Sequence, residues 1–417
     1  MNVVQSVFGV HAMTENVPNE DNLRASIILP FAAPHAHCLE RCVRSLAAQT
    51  IPRSEYEVIL VNAEGDSGVD SIAKAIEDDA PKNFNFHYFK ISKRGRAAAR
   101  NHGVKKSRGN VLLLYATDFI ATPLLLEQHL TLHEKNSDAR VVGIGPSVFH
   151  PKLEITPFMR WLEESGALFG TSFSSPDTRI PENFFYGGNT SIKRHFLEEV
   201  ESFDERLPYH AVDDFEMGSR LFKRGMKSVY LPRALAYHDH QVSFMERRTA
   251  MKEAGESTAI LESGDPGMVT HDKYHDACKS HASAISLIAS WHRIKYLLFD
   301  SEPDLHKYFD LSMTRAWAEG YLHATILNRE ETWRGALTTL LEVYGRRPDL
   351  QKAFPESDTH GFAKLVHWAL GAAEGRWEDS DQRTLRKHLH YYQLLATLNI
   401  DDDRCNGPEH NLPEHLQ

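Results

Sequence analysis

The feature that most constrains this chain is a regular alternation, over its first 145 residues, of short apolar β-rich runs with stretches of helical periodicity. ASIILP at 25–30 stops on Pro30, and residues 39–49 follow with Leu39, Cys42, Val43 and Leu46 on one helical face. A second unit runs from the strand-like 56–61 through a turn at Gly65 and Gly68 into a helix over 71–77. Residues 84–91 read as a third strand, 97–106 as a helix, and VLLLY at 111–115 as a fourth strand, apolar enough to be buried on both faces. A helix over 123–133 and a strand over 141–145 continue the series. Such alternation implies an α/β fold with a mostly parallel, doubly wound sheet.

Downstream the pattern changes. Residues 166–189 are loop-rich, helices are expected over 193–200 and 215–224, and beyond 246 the strand signal fades. From His271 onward helical patterns dominate, over 284–299, 312–327 and 362–373. A cluster of breakers, SGDPG at 263–267, marks a boundary. The expected organisation is an N-terminal leader at 1–24, an α/β domain over 25–262 and an all-α C-terminal domain over 263–417. A chain of 417 residues exceeds one core of usual size, which agrees with more than one domain.

Charge and cysteine usage exclude several function classes. A net charge of -10 argues against nucleic acid as the main partner. Cys38, Cys42, Cys278 and Cys405 have neither CxxC spacing nor the density of a disulfide scaffold, which suits a reducing compartment. The N-terminus lacks the signature of a signal peptide, and the apolar run 111–126 is interrupted by Thr117, Asp118, Thr122 and Pro123, so neither secretion nor a transmembrane helix is expected. Cytoplasmic localisation is the expectation.

In open α/β sheets, ligands bind beyond the carboxyl ends of the strands. Here those ends carry Pro30 and Phe31, then Asn62, then Asp118. Asn62 offers a donor and an acceptor suited to a base edge or sugar hydroxyl, or else it starts its own turn. The basic run Lys93–Arg94–Gly95–Arg96 enters an alanine-rich helix start, a setting that suits a phosphate or a solvated helix end. Asp118 is a candidate ligand for a hard divalent cation, although one loop aspartate taken alone says little. YGGN at 186–189 brings two glycines where backbone approaches something closely. VDDFEMG at 212–218 places two carboxylates at a helix start, either as dipole partners or with one serving as a general base. AYHDH at 236–240, read as a strand, sets both histidines on one face. A metal site on His271, His275 and Cys278 is outweighed by a solvated histidine-rich helix. Trp291, Trp317, Trp333, Trp368 and Trp377 are read as core.

Taken in order, these pieces resemble the inverting glycosyltransferases of GT-A family 2: Ile28-Leu29-Pro30, Ser45-Leu46-Ala47-Ala48-Gln49, Val61-Asn62, Ala99-Arg100-Asn101-His102-Gly103, Ala116-Thr117-Asp118, Gly187-Gly188-Asn189, Phe203-Asp204-Glu205 and Asp213-Asp214-Phe215-Glu216. The resemblance covers about residues 26–247. It implies a GT-A, Rossmann-like fold, a nucleotide-sugar donor (most often a UDP-sugar) and Mn2+ or Mg2+ on its phosphates. It also implies roles by position: Pro30, Phe31 and Asn62 for the nucleoside; Arg96 or Arg100 for base or phosphates; Thr117 and Asp118 at the donor, with Asp118 as metal ligand and His238 ahead of His240 as the second. Gly188 and Asn189 would lie near the transferred sugar or acceptor, and Asp214, beside Asp213, would be the catalytic base. The acceptor is open among saccharide, peptide, lipid and small molecule. The helical C-terminal region is expected to shape the acceptor site or an interface between copies of the chain. Two departures stand out: Ala116 replaces the first carboxylate of Asp-x-Asp, and Asn62-Ala63 replaces the acidic pair after strand two. They motivate an alternative, a degenerate module of the same fold that binds a nucleotide-sugar or a partner without catalysis.

Overall fold

The computed structural model describes residues 23–264, apart from 33–34, 66–67, 82, 174–179, 182 and 208–211, together with 289, 292–295 and 301–346. Residues 1–22 of the 1–24 leader, residues 265–267 of the breaker cluster at 263–267, the His271–His275–Cys278 stretch, Trp291, Trp368, Trp377 and Cys405 lie outside the described residues.

Seven strands form the main sheet: β1 (Ala25–Pro30), β2 (Tyr56–Asn62), β3 (Phe86–Lys90), β4 (Val111–Tyr115), β6 (Val141–Ile144), β8 (Asn189–Lys193) and β9 (Lys227–Tyr230). Their order is β3-β2-β1-β4-β8-β6-β9. Only β8 runs against its neighbours, β4 and β6, so the sheet is mostly parallel, as the alternation implied. A second sheet sets β10 (Ala236–His238) between β5 (Phe119–Ala121) and β7 (Ser147–Phe149). β5 and β7 are too short for a period to show in sequence, whereas β10 falls within the 236–240 stretch read as a strand and stops at His238, short of His240. The start of the helix expected over 193–200 is instead the end of β8; the helix itself spans Arg194–Glu198.

β1, β2 and β4 are buried along their whole length, which accounts for their unbroken apolar text. Helices α1 (Ala36–Ala47), α2 (Val69–Asp79), α3 (Arg96–Lys106) and α4 (Leu125–Lys135) cover the sheet. α3 lies so close to β1 that a Cβ at Gly103 would stand 2.6 Å from Ile28 Cγ2, which explains the glycine in its middle. The chain leaves β1 toward β2 and β3 on one side and returns to β4 on the other. The carboxyl ends of β1 and β4 therefore flank the point where strand order reverses, the usual place for a ligand crevice.

Two of the sequence motifs hold the segment that follows β4. Ser45 Oγ accepts the Ala121 N–H (2.9 Å). Gln49 accepts the Leu126 N–H (2.9 Å) and donates to the Thr122 carbonyl (3.0 Å). At the far end of the sheet Glu57 is buried, accepting Ser26 Oγ and the Arg108 N–H at 2.6 Å each.

α5 (Pro157–Glu164), α6 (Arg194–Glu198), α7 (Asp213–Lys223), α8 (Phe244–Gly264) and α9 (Glu302–Arg346) complete the described helices. A second apolar cluster gathers Phe158, Trp161 and Leu162 of α5 with Phe309, Met313 and Trp317 of α9, so Trp317 is core as expected. Among the described residues beyond Phe244 all regular structure is helical. No described helix is long and apolar enough to cross a membrane. Chain contacts divide the molecule into two compact units, Met1–Tyr321 and Leu322–Gln417.

Candidate functional site

A cleft of about 750 Å3 opens at the carboxyl ends of β1 and β4. Pro30 and His35 line it from the β1 side, and Tyr115 to Phe119 from β4. Gly95 and Arg96 come from the start of α3, Gly187 and Gly188 from the loop before β8, Asp214 from α7, and Glu246, Arg247, Ala250 and Glu253 from α8.

The two adjacent carboxylates of α7 have different fates. Asp213 is fully buried and takes both guanidinium groups, Arg96 Nη2 at 2.5 Å and Arg100 Nη1 at 2.5 Å. It is thereby paired with two guanidinium groups and does not line the cleft. Asp214 lines the cleft, with Oδ2 accepting the Gly187 N–H (3.0 Å) and Oδ1 the Phe215 N–H (2.9 Å). These bonds fix its carboxylate without supplying a counter-charge. Val212, just before α7, holds the left-handed conformation (φ 57°), which turns the chain so that Asp213 points inward and Asp214 toward the cleft.

Arg100 also donates to the Gly187 carbonyl (2.8 Å), and a Cβ at Gly187 would fall 1.8 Å from its Nη2. The close approach expected of the first glycine is thus to a guanidinium of the protein. Asn101, next in the same motif, accepts the Phe203 N–H (2.8 Å) and donates to the Phe203 carbonyl (2.9 Å). The Ala-Arg-Asn and Phe-Asp-Glu motifs are therefore bound to each other.

Asp118 is 4% exposed. Burial alone would raise its pKa, but His238 and His35 beside it hold the carboxyl well below the usual range, so it is ionised. His238 Nε2 stands 2.9 Å from Asp118 Oδ2 because β10 pairs with β5 in the register His238 opposite Phe119. The Phe119, Phe149 and Phe169 rings meet the His238 ring edge-on at 5.4–5.7 Å, and its Nδ1 makes no hydrogen bond. One ionised oxygen and one imidazole nitrogen, converging in a cleft and held in fixed orientation, are a donor pair that fits a divalent cation such as Mn2+. His35 Nδ1 lies 3.5 Å from the same oxygen; burial lowers its pKa, Asp118 opposes, and His240 and His238 add to the lowering.

Other expected site residues are placed elsewhere. Phe31 is core. Asn62 is fully buried and folded over its own turn, accepting the Glu64 N–H and donating to the Gly65 carbonyl at 2.9 Å each, so the turn-forming role is the one observed. Asn189 bonds His129 Nε2 (3.0 Å) and donates to the Ala234 carbonyl (2.8 Å), beneath the cleft rather than in it. Burial holds His129 down at about 4, so it is a neutral partner in that network. Thr117 lines the cleft with a buried Oγ1 that has no hydrogen-bond partner. Cys38 and Cys42 are inert: burial, with Asp118 nearby, pushes Cys38 up to about 12 and Cys42 well above its ordinary value.

The α8 wall with Glu246, and His35 before α1, escaped the sequence reading. His35 stands in the run PHAH at 34–37, just after β1, and Glu246 in SFME at 243–246, a capping-box pattern. Nothing local in either run links it to the other.

The model of the family described as glycosyl transferase family 2 matches residues 26–201. An uncharacterized glycosyltransferase of Bacillus subtilis (strain 168), YfnE, is 25% identical over 250 residues, covering 49% of this chain and 62% of its own length. Chondroitin synthase of Escherichia coli is 24% identical over 213 residues, covering 44% of this chain and 30% of that protein. The chain thus spans less than two thirds of the length of these relatives. Among solved structures, the mannosyltransferase PcManGT from Pyrobaculum calidifontis, in complex with GDP-Man and Mn2+, aligns over 73% of this chain and 89% of its own at 15% identity and a TM-score of 0.46.

Proposed function

We propose that this chain, whose residues 26–201 match the model of glycosyl transferase family 2, is an inverting transferase of that family. It takes a sugar from a nucleoside-diphosphate donor of the UDP-sugar class and delivers it to an acceptor hydroxyl, in the cytoplasm. The observation that carries this reading is the split between Asp213, paired with two arginines, and Asp214, held by backbone N–H groups at the cleft.

Asp214 accepts the acceptor's proton as the hydroxyl oxygen attacks the anomeric carbon from the face opposite the departing diphosphate. The backbone bonds to Gly187 and Phe215 keep its carboxylate oriented before the acceptor arrives. Arg96, a quarter exposed and lining the cleft, faces the space for the diphosphate while Asp213 holds it in place. Pro30 and Ala63 border the nucleoside, and Gly188 leaves room for the transferred sugar. A divalent cation held by Asp118 and His238 would supply charge neutralisation of the leaving group. The imidazole favours Mn2+ over Mg2+.

Ala116 and Ala63, where the family carries carboxylates, favour a second reading: a binding module of the same fold without turnover. Mass spectrometry of a panel of nucleotide-sugars incubated with the protein and Mn2+ separates the two. Transfer or slow donor hydrolysis supports the enzyme; a donor that binds and stays intact supports the module.

A further inference from the structure

Next to the Asp118–His238 pair the fold assembles a second set of ligating side chains. His35 precedes α1, His240 lies two residues beyond the end of β10, and Glu246 is in the first turn of α8. One ligand atom from each lies within 4.8 Å of the other two. His240 Nε2 is 2.7 Å from Glu246 Oε1, and the His35 and His240 rings are 4.9 Å apart at 50°. All three residues line the cleft.

Helix capping accounts for only part of Glu246. Its N–H donates to Ser243 Oγ (3.1 Å) and its Oε2 accepts the Ser243 N–H (3.4 Å), a capping box. Oε1 is turned away from that box toward His240. A solvated ion pair accounts poorly for His240, whose side chain is 14% exposed and packs between the rings of His35, His37 and His238. Imidazole nitrogen is a common transition-metal ligand. Two imidazoles and one carboxylate, with the fourth position open to a cleft, are the donor set of zinc-type sites and not of Mg2+ or Ca2+, which take oxygen ligands.

We propose that His35, His240 and Glu246 bind a divalent transition cation of the zinc or cobalt class, at a site that adjoins the Asp118–His238 pair through His35 and borders the same cleft. The proposal stands on these side chains and does not require sugar transfer.

The test is cobalt titration of the full chain after chelator treatment, without nucleotide, followed by visible absorption and equilibrium dialysis. The wild-type protein is expected to develop the d–d bands of nitrogen-ligated cobalt. His240→Ala and Glu246→Gln should each weaken binding by about tenfold or more, while Asp118→Asn keeps the bands. Glu246→Gln preserves the capping box, so its loss of cobalt reports ligation and not folding. Wild-type protein without nitrogen-ligated bands, unchanged binding in both His240→Ala and Glu246→Gln, or bands lost in Asp118→Asn alone would overturn the site. Donor consumption is read separately: lost transfer with intact cobalt binding contradicts the transferase and leaves this site standing.

Discussion

Replacing Asp213 by alanine would leave the Arg100 guanidinium, 2% exposed, buried next to Arg96 without its counter-charge. Removing one partner of a buried pair typically costs about 3–5 kcal/mol. Urea unfolding of Asp213→Ala should show a loss of that order, whereas Asp214→Asn, which keeps the local shape and one of the two backbone acceptor contacts, should lose only about one hydrogen bond, roughly 1 kcal/mol. Equal destabilisation by the two would contradict the division of roles between the adjacent carboxylates. Gly187→Ala acts on the same network from the other side: its methyl group would occupy the space of the Arg100 Nη2. Glu57 gives a pH prediction. Burial would raise its pKa, but His87, Ser26 and Arg108 together hold it at about 2 against an ordinary 4.5. Between those values the unfolded chain binds the proton that the folded chain refuses. The stabilisation is therefore complete above pH 4.5 and lost as pH falls toward 2, on the order of 3 kcal/mol in all. Thermal melts of Glu57→Gln should have a flatter acid limb over that window; identical acid limbs would remove Glu57 from the account.

At the scale of elements, the motifs spread along the sequence are bonded to one another. Ser45 and Gln49 on α1 hold the β5–α4 connection that follows Asp118. Arg100 and Asn101 on α3 hold α7 and the Phe203 turn. Gln49→Leu would strand the Leu126 N–H, at about 1–3 kcal/mol for an unpaired group, while the Thr122 carbonyl keeps the Leu125 N–H. Chemical denaturation should register that loss, and donor binding should weaken because the Asp118 loop is less firmly held. Much of this was legible in advance. The βα units up to β6 were readable because buried strands are unbroken apolar runs and helices show their period. Asn62 and Asn189 could not be assigned from sequence, since an asparagine that reads a ligand and one that bonds its own turn are spelled alike. The three-residue strands β5 and β7 were invisible for want of length, and with β5 the pairing to β10 that sets His238 beside Asp118.

For the whole molecule, with a net charge of -10, the cleft sets Arg94, Arg96, Arg100 and Arg247 among Glu64, Asp118, Asp214, Glu246 and Glu253, so both signs of charge line it. Asp118→Ala should weaken donor binding measured by calorimetry with Mn2+ present and change it little with chelator; equal affinity under both conditions would remove the metal role of Asp118. The long-range convergence of His35, His238, His240 and Glu246 depends on topology and could not be read from any local stretch. The central claim is that Asp214 is the base for sugar transfer. Its most direct test is a paired measurement on Asp214→Asn: calorimetric binding of the nucleotide-sugar donor alongside mass-spectrometric turnover. The account predicts donor affinity close to wild type with turnover abolished, and transfer by Asp214→Asn at the wild-type rate would contradict it.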